Sequence, residues 1–264
     1  MKIIKIGGGA TLNLRGIIAD LAELQDTFIV VHGANALRDR LAEALGTPRK
    51  VLTSVSGYTS VFSDETALDL LMMAYAGLRN KRIVELCHQH AINAIGLSGL
   101  DGKVVQGRRN KGIRVRENGK LRIVRDCSGK PKAINEDLLH LLLQNGYVPI
   151  LSIPIIDENN FAINSENDDI VALLQSTLHA DTVVHLIEAP GFLDDPDDPD
   201  SLVRQITPAE LLQREHQVQG RMRRKMLALR TLIENGASSV VISDGRVEHP
   251  VRDALAGAGT RIAG

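Results

Sequence analysis

The 264-residue chain has no tryptophan, three tyrosines, four phenylalanines, two cysteines and no run of about 18 apolar residues. The last absence excludes a helical membrane span. With no apolar stretch before a cleavage site either, a soluble, cytoplasmic protein without a membrane partner is expected. Cys87 and Cys127 lack the paired spacing of metal ligands and read as reduced thiols, which suits the same compartment. A formal net charge of −1 removes any chain-wide attraction to nucleic acid or anionic lipid, so a charged partner has to be met by a local patch. No Gly-x-x-x-x-Gly-Lys-Ser/Thr and no Gly-x-Gly-x-x-Gly occurs, which excludes the P-loop and dinucleotide fingerprints.

What is present alternates. Apolar periodicity and turn residues predict a strand near 2 to 6, helix 14 to 25, strand 28 to 32, helix 35 to 45, a long helix 64 to 90 and a strand 93 to 97. Short β-like runs follow at Val104 to Gln106, Gly112 to Arg116 and Leu121 to Val124, with Glu117, Asn118 and Gly119 as a turn; they read as a β-hairpin excursion. Helix 135 to 145, strand 148 to 151, helix 167 to 178, strand 182 to 187, helices near 208 to 214 and 219 to 235, and strand 239 to 243 restore the alternation. The class is α/β, with a mostly parallel sheet covered on both faces. One domain spans 1–264, with a soft boundary near 178.

Four turns at strand ends carry unusual residues, and in a parallel sheet such turns converge outside the carboxyl ends of the strands. Lys5 precedes Gly7, Gly8 and Gly9, which sets a positive charge beside unshielded backbone N–H groups. That arrangement suits a moving phosphoryl group, and an ordinary tight turn is the alternative. His32, Gly33, Ala34 and Asn35 open a helix whose first amides face an anion, or whose start Asn35 caps. Asn164 to Asp169 precede another helix: Asn164 can donate to a carboxylate and Asp168 can hold a lysine, or Asn167 or Asp168 is a simple cap. Gly220 to Lys225 place cations at a helix start, against the macrodipole, which favours an anion there.

These turns, with Gly96 to Gly102, Pro190–Gly191 and Gly259–Thr260, occur in the order found in the amino acid kinase family, and the chain resembles its N-acetylglutamate kinase branch. More narrowly it is similar to kinases acting on 2-aminoadipate or glutamate attached to the small carrier protein LysW; the segments 77–85, 96–109, 220–225 and 244–250 and the Arg-Glu-Asn-Gly-Lys turn at 116–120 carry this. The resemblance implies a three-layer αβα sandwich, ATP with Mg²⁺, a homodimer, and attack of a side-chain carboxylate on the γ-phosphate to give an acyl phosphate and ADP. It implies that Lys5 and Lys225 stabilise the transferring group and Asp168 orients both lysines. Gly7, Gly8, Gly33 and Ala34 would cradle phosphate, Asn164 would bind substrate, and Glu188, Gly191 and Gly220 would border the nucleotide. Residues 1–178 would form the acyl-substrate lobe and 179–264 the nucleotide lobe. N-acetylglutamate kinase proper and a non-catalytic regulatory homologue are the alternatives.

Two positions depart from the family pattern. Ala34 stands where a second glycine is usual, and Val61 aligns with an arginine that grips the substrate's α-carboxylate. Valine makes no ion pair, so either another cation substitutes or the acyl substrate differs at that end. Between Lys103 and Lys132, eleven lysines and arginines face two acids. The charge run is a solvated face or, as the resemblance favours, a dock for an acidic carrier through Arg108, Arg109 and Arg114. It lacks the aromatics that nucleic acid would stack on, so no nucleic acid is expected. No metal ligands are expected: His88 and His90 diverge on a helix, and the 194–200 acidic run reads as a solvated loop. Met72 and Met73 read as core filling.

Overall fold

A computed structural model describes the chain except residues 48–49, 56, 58, 118–119, 196, 199, 218–219 and 263–264, and the side chains of 59–60, 117, 217 and 220–225. The sheet at its centre has the strand order Gln205–Ile206, Thr260–Ile262, Ser239–Asp244, Thr182–Ile187, Lys2–Ile6, Phe28–His32, Val148–Ser152, Ala94–Ser98. All these neighbours pair in parallel except Ser239–Asp244 with Thr260–Ile262.

Side chains alternate across the first strand and sort the core into two layers. Ile4 and Ile6 pack with Ile17, Ile18 and Leu21 of helix Leu14–Glu23, Ile83 and Cys87 of helix Asn80–Gln89, and Val251 of helix Pro250–Leu255. Ile3 packs on the opposite face with Ile170, Val171 and Leu174 of helix Asn167–Leu178 and with Met226, Leu229 and Leu232 of helix Gly220–Glu234. This is the expected three-layer sandwich. The same alternation puts Lys5 on the Ile3 face, beneath helix Asn167–Leu178. From strand Lys2–Ile6 the chain builds outward on one side through Phe28–His32 and returns on the other at Thr182–Ile187. The crevice between them is a topological switch point, where ligands bind in open α/β sheets.

The long helix is one continuous rod from Glu65 to Gln89 with a wider, π-type stretch over Met72–Arg79. Met73, expected in the core, is half exposed on it. The β-hairpin excursion is realised as two small sheets. Ile113–Glu117 and Lys120–Val124 form the hairpin; its turn residues Asn118 and Gly119 lie outside the described residues. Strand Val105–Arg109 instead pairs with Gly129–Ile134 and with Ile156. A further hairpin, Val51–Thr53 with Thr59–Val61, was not expected; its strands of three residues are too short to show a period.

Candidate active site

Lys5 Nζ lies 2.9 Å from Asp168 Oδ1. The lysine is largely buried, at 8% exposure, so without a partner its charge would be strongly unfavourable there. Asp168 sits in the first turn of its helix, where the N-terminal amides also favour a carboxylate. His185 is in register with Lys5 on the adjoining strand, with Nδ1 3.9 Å from the same Asp168 oxygen. Sequence reading missed His185; its signal is a histidine inside an otherwise apolar strand.

The capping alternatives fail. Glu166, not Asn167 or Asp168, occupies the cap position, and it makes no side-chain cap bond. Ala34 is the cap residue of helix Asn35–Ala44, while Asn35 accepts a hydrogen bond from the Tyr75 hydroxyl.

The glycines are required by close approach. Gly7, Gly8, Gly9 and Gly33 all have φ outside the left-handed region. A Cβ on Gly8 would lie 2.6 Å from Asn35 N, and one on Gly33 would lie 2.8 Å from Gly8 N. The first two βα turns thus pack backbone on backbone, fixed by Gly33 N–H donating to Ile6 O and Ala36 N–H to Gly8 O. Gly7 N–H is held by Leu186 O. The Ala34 methyl is buried, at 1% exposure, and joins the apolar core.

Two cavities adjoin these turns. One of about 310 Å³ is lined by Lys5, Asp168, His185, Glu188, Gly191 and Met226, among others. It brings together four residues expected to serve phosphoryl transfer or the nucleotide. Glu188 does so indirectly: its Oε1 accepts from Thr11 N and Oγ1 at 2.8 and 2.7 Å, and these bonds lower its pKa. Its carboxylate also fills the space where a Gly9 side chain would stand, so it fastens the first glycine turn. Gly191 packs against Leu202 and Thr260 with no room for a side chain. Gly220 and Lys225 fall on the helix whose next residue, Met226, lines this cavity, but their side chains lie outside the described residues.

The other cavity, about 300 Å³, holds Val61 and Asn164 with Arg38, Lys50, Ser63 and Asp64. Asn164 Nδ2 donates to Ser63 Oγ at 2.9 Å. Since Asn164 and Asp168 are four residues apart on one segment, that segment runs from one cavity to the other. Arg38 and Lys50 were not expected here, because only the fold brings them to Val61.

The basic excursion borders this second cavity. Ser63 N–H donates to Asp126 Oδ2, Ser128 bridges to Asn164, and Ser54 bridges to Val115 of the hairpin. Arg108 and Arg114 are exposed, whereas Arg109 is fastened to Asp157 at 2.8 Å. Among the described residues no cluster of His, Cys, Asp or Glu could hold a metal ion, no helix is long and apolar enough to cross a membrane, and both cysteines are free.

The model of the amino acid kinase family matches residues 1–244. The chain belongs to the amino acid kinase family. It is 41% identical to a LysW-aminoadipate kinase of Thermus thermophilus, over 99% of this chain and 100% of that one. It is 38% identical to a LysW-aminoadipate kinase of Deinococcus radiodurans, over 99% and 91% of the two chains. An acetylglutamate kinase of Methanopyrus kandleri is 30% identical over 92% and 95%. Carbamate kinase from Giardia shares the fold, with a TM-score of 0.68 at 16% identity over 99% and 98% of the chains. Membership and these relatives make the chain an ATP-dependent phosphotransferase.

Proposed function

We propose that this amino acid kinase phosphorylates the side-chain carboxylate of an amino acid, 2-aminoadipate, glutamate or an analogue, whose amino group is attached to a LysW-type carrier protein. The observation that carries the reading is the Lys5–Asp168 pair at the switch point, between a cavity suited to a nucleotide and one bordered by a basic surface. The names of the full-length relatives in Thermus and Deinococcus supply the substrate class.

A carboxylate is already a nucleophile, so no general base is needed; the task is to align two anions and offset their repulsion. One carboxylate oxygen attacks the γ-phosphorus as the bond to the β-phosphate oxygen breaks, and ADP leaves with that electron pair. Lys5 meets the developing charge, Asp168 fixes its ammonium, and Lys225 from the facing helix supplies a second cation. Backbone N–H groups at the Gly8 turn orient the phosphoryl oxygens; those of Gly7 and Gly33, expected to share that role, are spent on Leu186 O and Ile6 O and hold the two turns together. Gly191 and Gly220 border the nucleotide. Mg²⁺ enters with ATP as part of the substrate, bound by its phosphate oxygens. In this reading residues 1–178 form the acyl-substrate lobe and 179–264 the nucleotide lobe. Arg108 and Arg114 receive the acidic carrier, and the enzyme works as a cytoplasmic homodimer.

The deciding assay supplies Mg²⁺–ATP with carrier-bound 2-aminoadipate, carrier-bound glutamate or free N-acetylglutamate. It follows ADP release and traps the acyl phosphate with hydroxylamine. Turnover of a carrier-bound substrate with little on the free acid is expected. Robust turnover of free N-acetylglutamate would reassign the enzyme, and no ADP from any acid would make it a regulatory homologue.

A further inference from the structure

We propose that Arg38 is the receptor for the second carboxylate of the acyl substrate, the one that is not phosphorylated. The inference rests on the function proposed above. An amino dicarboxylic acid joined through its amino group presents two carboxylates. If one is activated beside Lys5, the α-carboxylate has to find a cation in the cavity that adjoins Asn164. Val61 gives that cavity an apolar wall together with Leu70 and Leu71, suited to methylenes.

Two cations line it among the described residues. Lys50 is a poor receptor: its side chain is 71% exposed, and Nζ is 3.8 Å from Asp64. Arg38 is 12% exposed. Its Nε and Nη2 both donate to Asp39 Oδ1, at 3.0 and 2.7 Å, which fixes the guanidinium plane along one edge. A guanidinium has five N–H donors in a planar fork, so the end formed by Nη1 and Nη2 still presents a bidentate edge for a second carboxylate. Helix stability does not explain the residue. Arg38 N–H makes the first bond of helix Asn35–Ala44, to Ala34 O, so its charge stands at the positive end of the dipole, in a first turn with no acid. A rigid, nearly buried cation opposed to its own helix and open to a cavity is arranged for an anion.

Wild type, Arg38→Met and Arg38→Lys are compared by steady-state kinetics and by equilibrium titration without ATP. The probes are carrier-bound 2-aminoadipate and the same substrate with its α-carboxylate amidated. Arg38→Met should raise KM for the acyl substrate by about 10- to 100-fold, the range for losing a charge-assisted pair, and leave KM for ATP within about 3-fold. Arg38→Lys should recover part of the loss. Amidation should penalise wild type by a similar factor and leave Arg38→Met nearly indifferent, a pattern that a merely structural role of Arg38 does not produce. Equal penalties for amidation in both proteins would overturn the inference while leaving the function intact. Arg38-dependent binding of the carrier-bound acid without turnover would overturn the function and support the receptor.

Discussion

On the strand Lys2–Ile6 the side chains at 3, 4 and 6 are isoleucines fully removed from water, and the ammonium at 5 is nearly so. Its position depends on Asp168. Replacing Asp168 by asparagine keeps the shape but deletes the countercharge, leaving Lys5 less firmly aimed at a developing phosphoryl charge. The expected result for Asp168→Asn is a fall in kcat of about 100-fold or more, with KM for the acyl substrate within about 3-fold; a change in KM alone would make the carboxylate a binding group. His32 shows a different use of burial. It is fully buried, which drops its pKa to about 3 from an ordinary 6.5. Asn80 Nδ2 donates to its Nε2 at 3.1 Å, which assigns the neutral ring with the proton on Nδ1, facing Gly33 O. Between those two pKa values the unfolded chain binds a proton that the folded chain refuses, so stability rises with pH across the window and is lost as pH falls below 6.5. One such group contributes a slope of about 1.4 kcal/mol per pH unit. Urea unfolding from pH 7 to 4 should show that slope in wild type and a shallower one in His32→Gln; identical slopes would remove His32 from the acid response.

At the scale of elements, the first two βα turns act as one unit because neither tolerates a side chain facing the other. Gly33→Ala must open the gap of 2.8 Å to Gly8 N. That overpacking costs about 1–3 kcal/mol and displaces the Gly8 amide, proposed above to face the phosphoryl group. Activity should fall much further than stability. Gly146→Ala is the control: it has φ of 75° and nothing within 4 Å, so it should lose about 1 kcal/mol through backbone strain alone and keep its kcat. Comparable kcat in the two variants would argue against a functional role for the Gly8–Gly33 contact. These turns were legible in the sequence because glycine after a buried apolar strand is a local pattern, as was helix Asn167–Leu178, whose bounds agree with its periodicity. Strand Gly129–Ile134 was not legible: it carries Pro131 and two lysines, and it exists because Val105–Arg109 offers it an edge. The two-residue strands Ile155–Ile156, Ala162–Ile163 and Gln205–Ile206 are too short for any period to show.

For the molecule as a whole, the family resemblance implied the Lys5–Asp168 pair that residue types alone left open, but Arg38 beside Val61, Thr11 beneath Glu188 and His185 beside Lys5 are products of topology. So is the location of the charge. The chain's net charge of −1 conceals a basic excursion that the fold ties to the rim of the cavity holding Val61 and Asn164 through Asp126, Ser128 and the Ser54–Val115 bridge. Within it the arginines differ. Arg109 is neutralised by Asp157 and donates its backbone N–H to Glu158, so it braces the small sheet; Arg108 and Arg114 are exposed. An acidic carrier approaching this rim would be attracted by exposed charge over about one Debye length, roughly 10 Å at 0.1 M salt. The double change Arg108→Glu and Arg114→Glu should therefore raise KM for the carrier-bound substrate about 10-fold or more at low ionic strength, with KM for ATP unchanged. Above about 0.5 M salt the gap from wild type should largely close, since exposed charges are then screened. Arg109→Gln should show the opposite balance: a lower Tm and a small, salt-insensitive change in KM. If the double variant matches wild type at every ionic strength, the basic surface is only a solvated face, and recognition of the carrier has to come from contacts at that cavity itself.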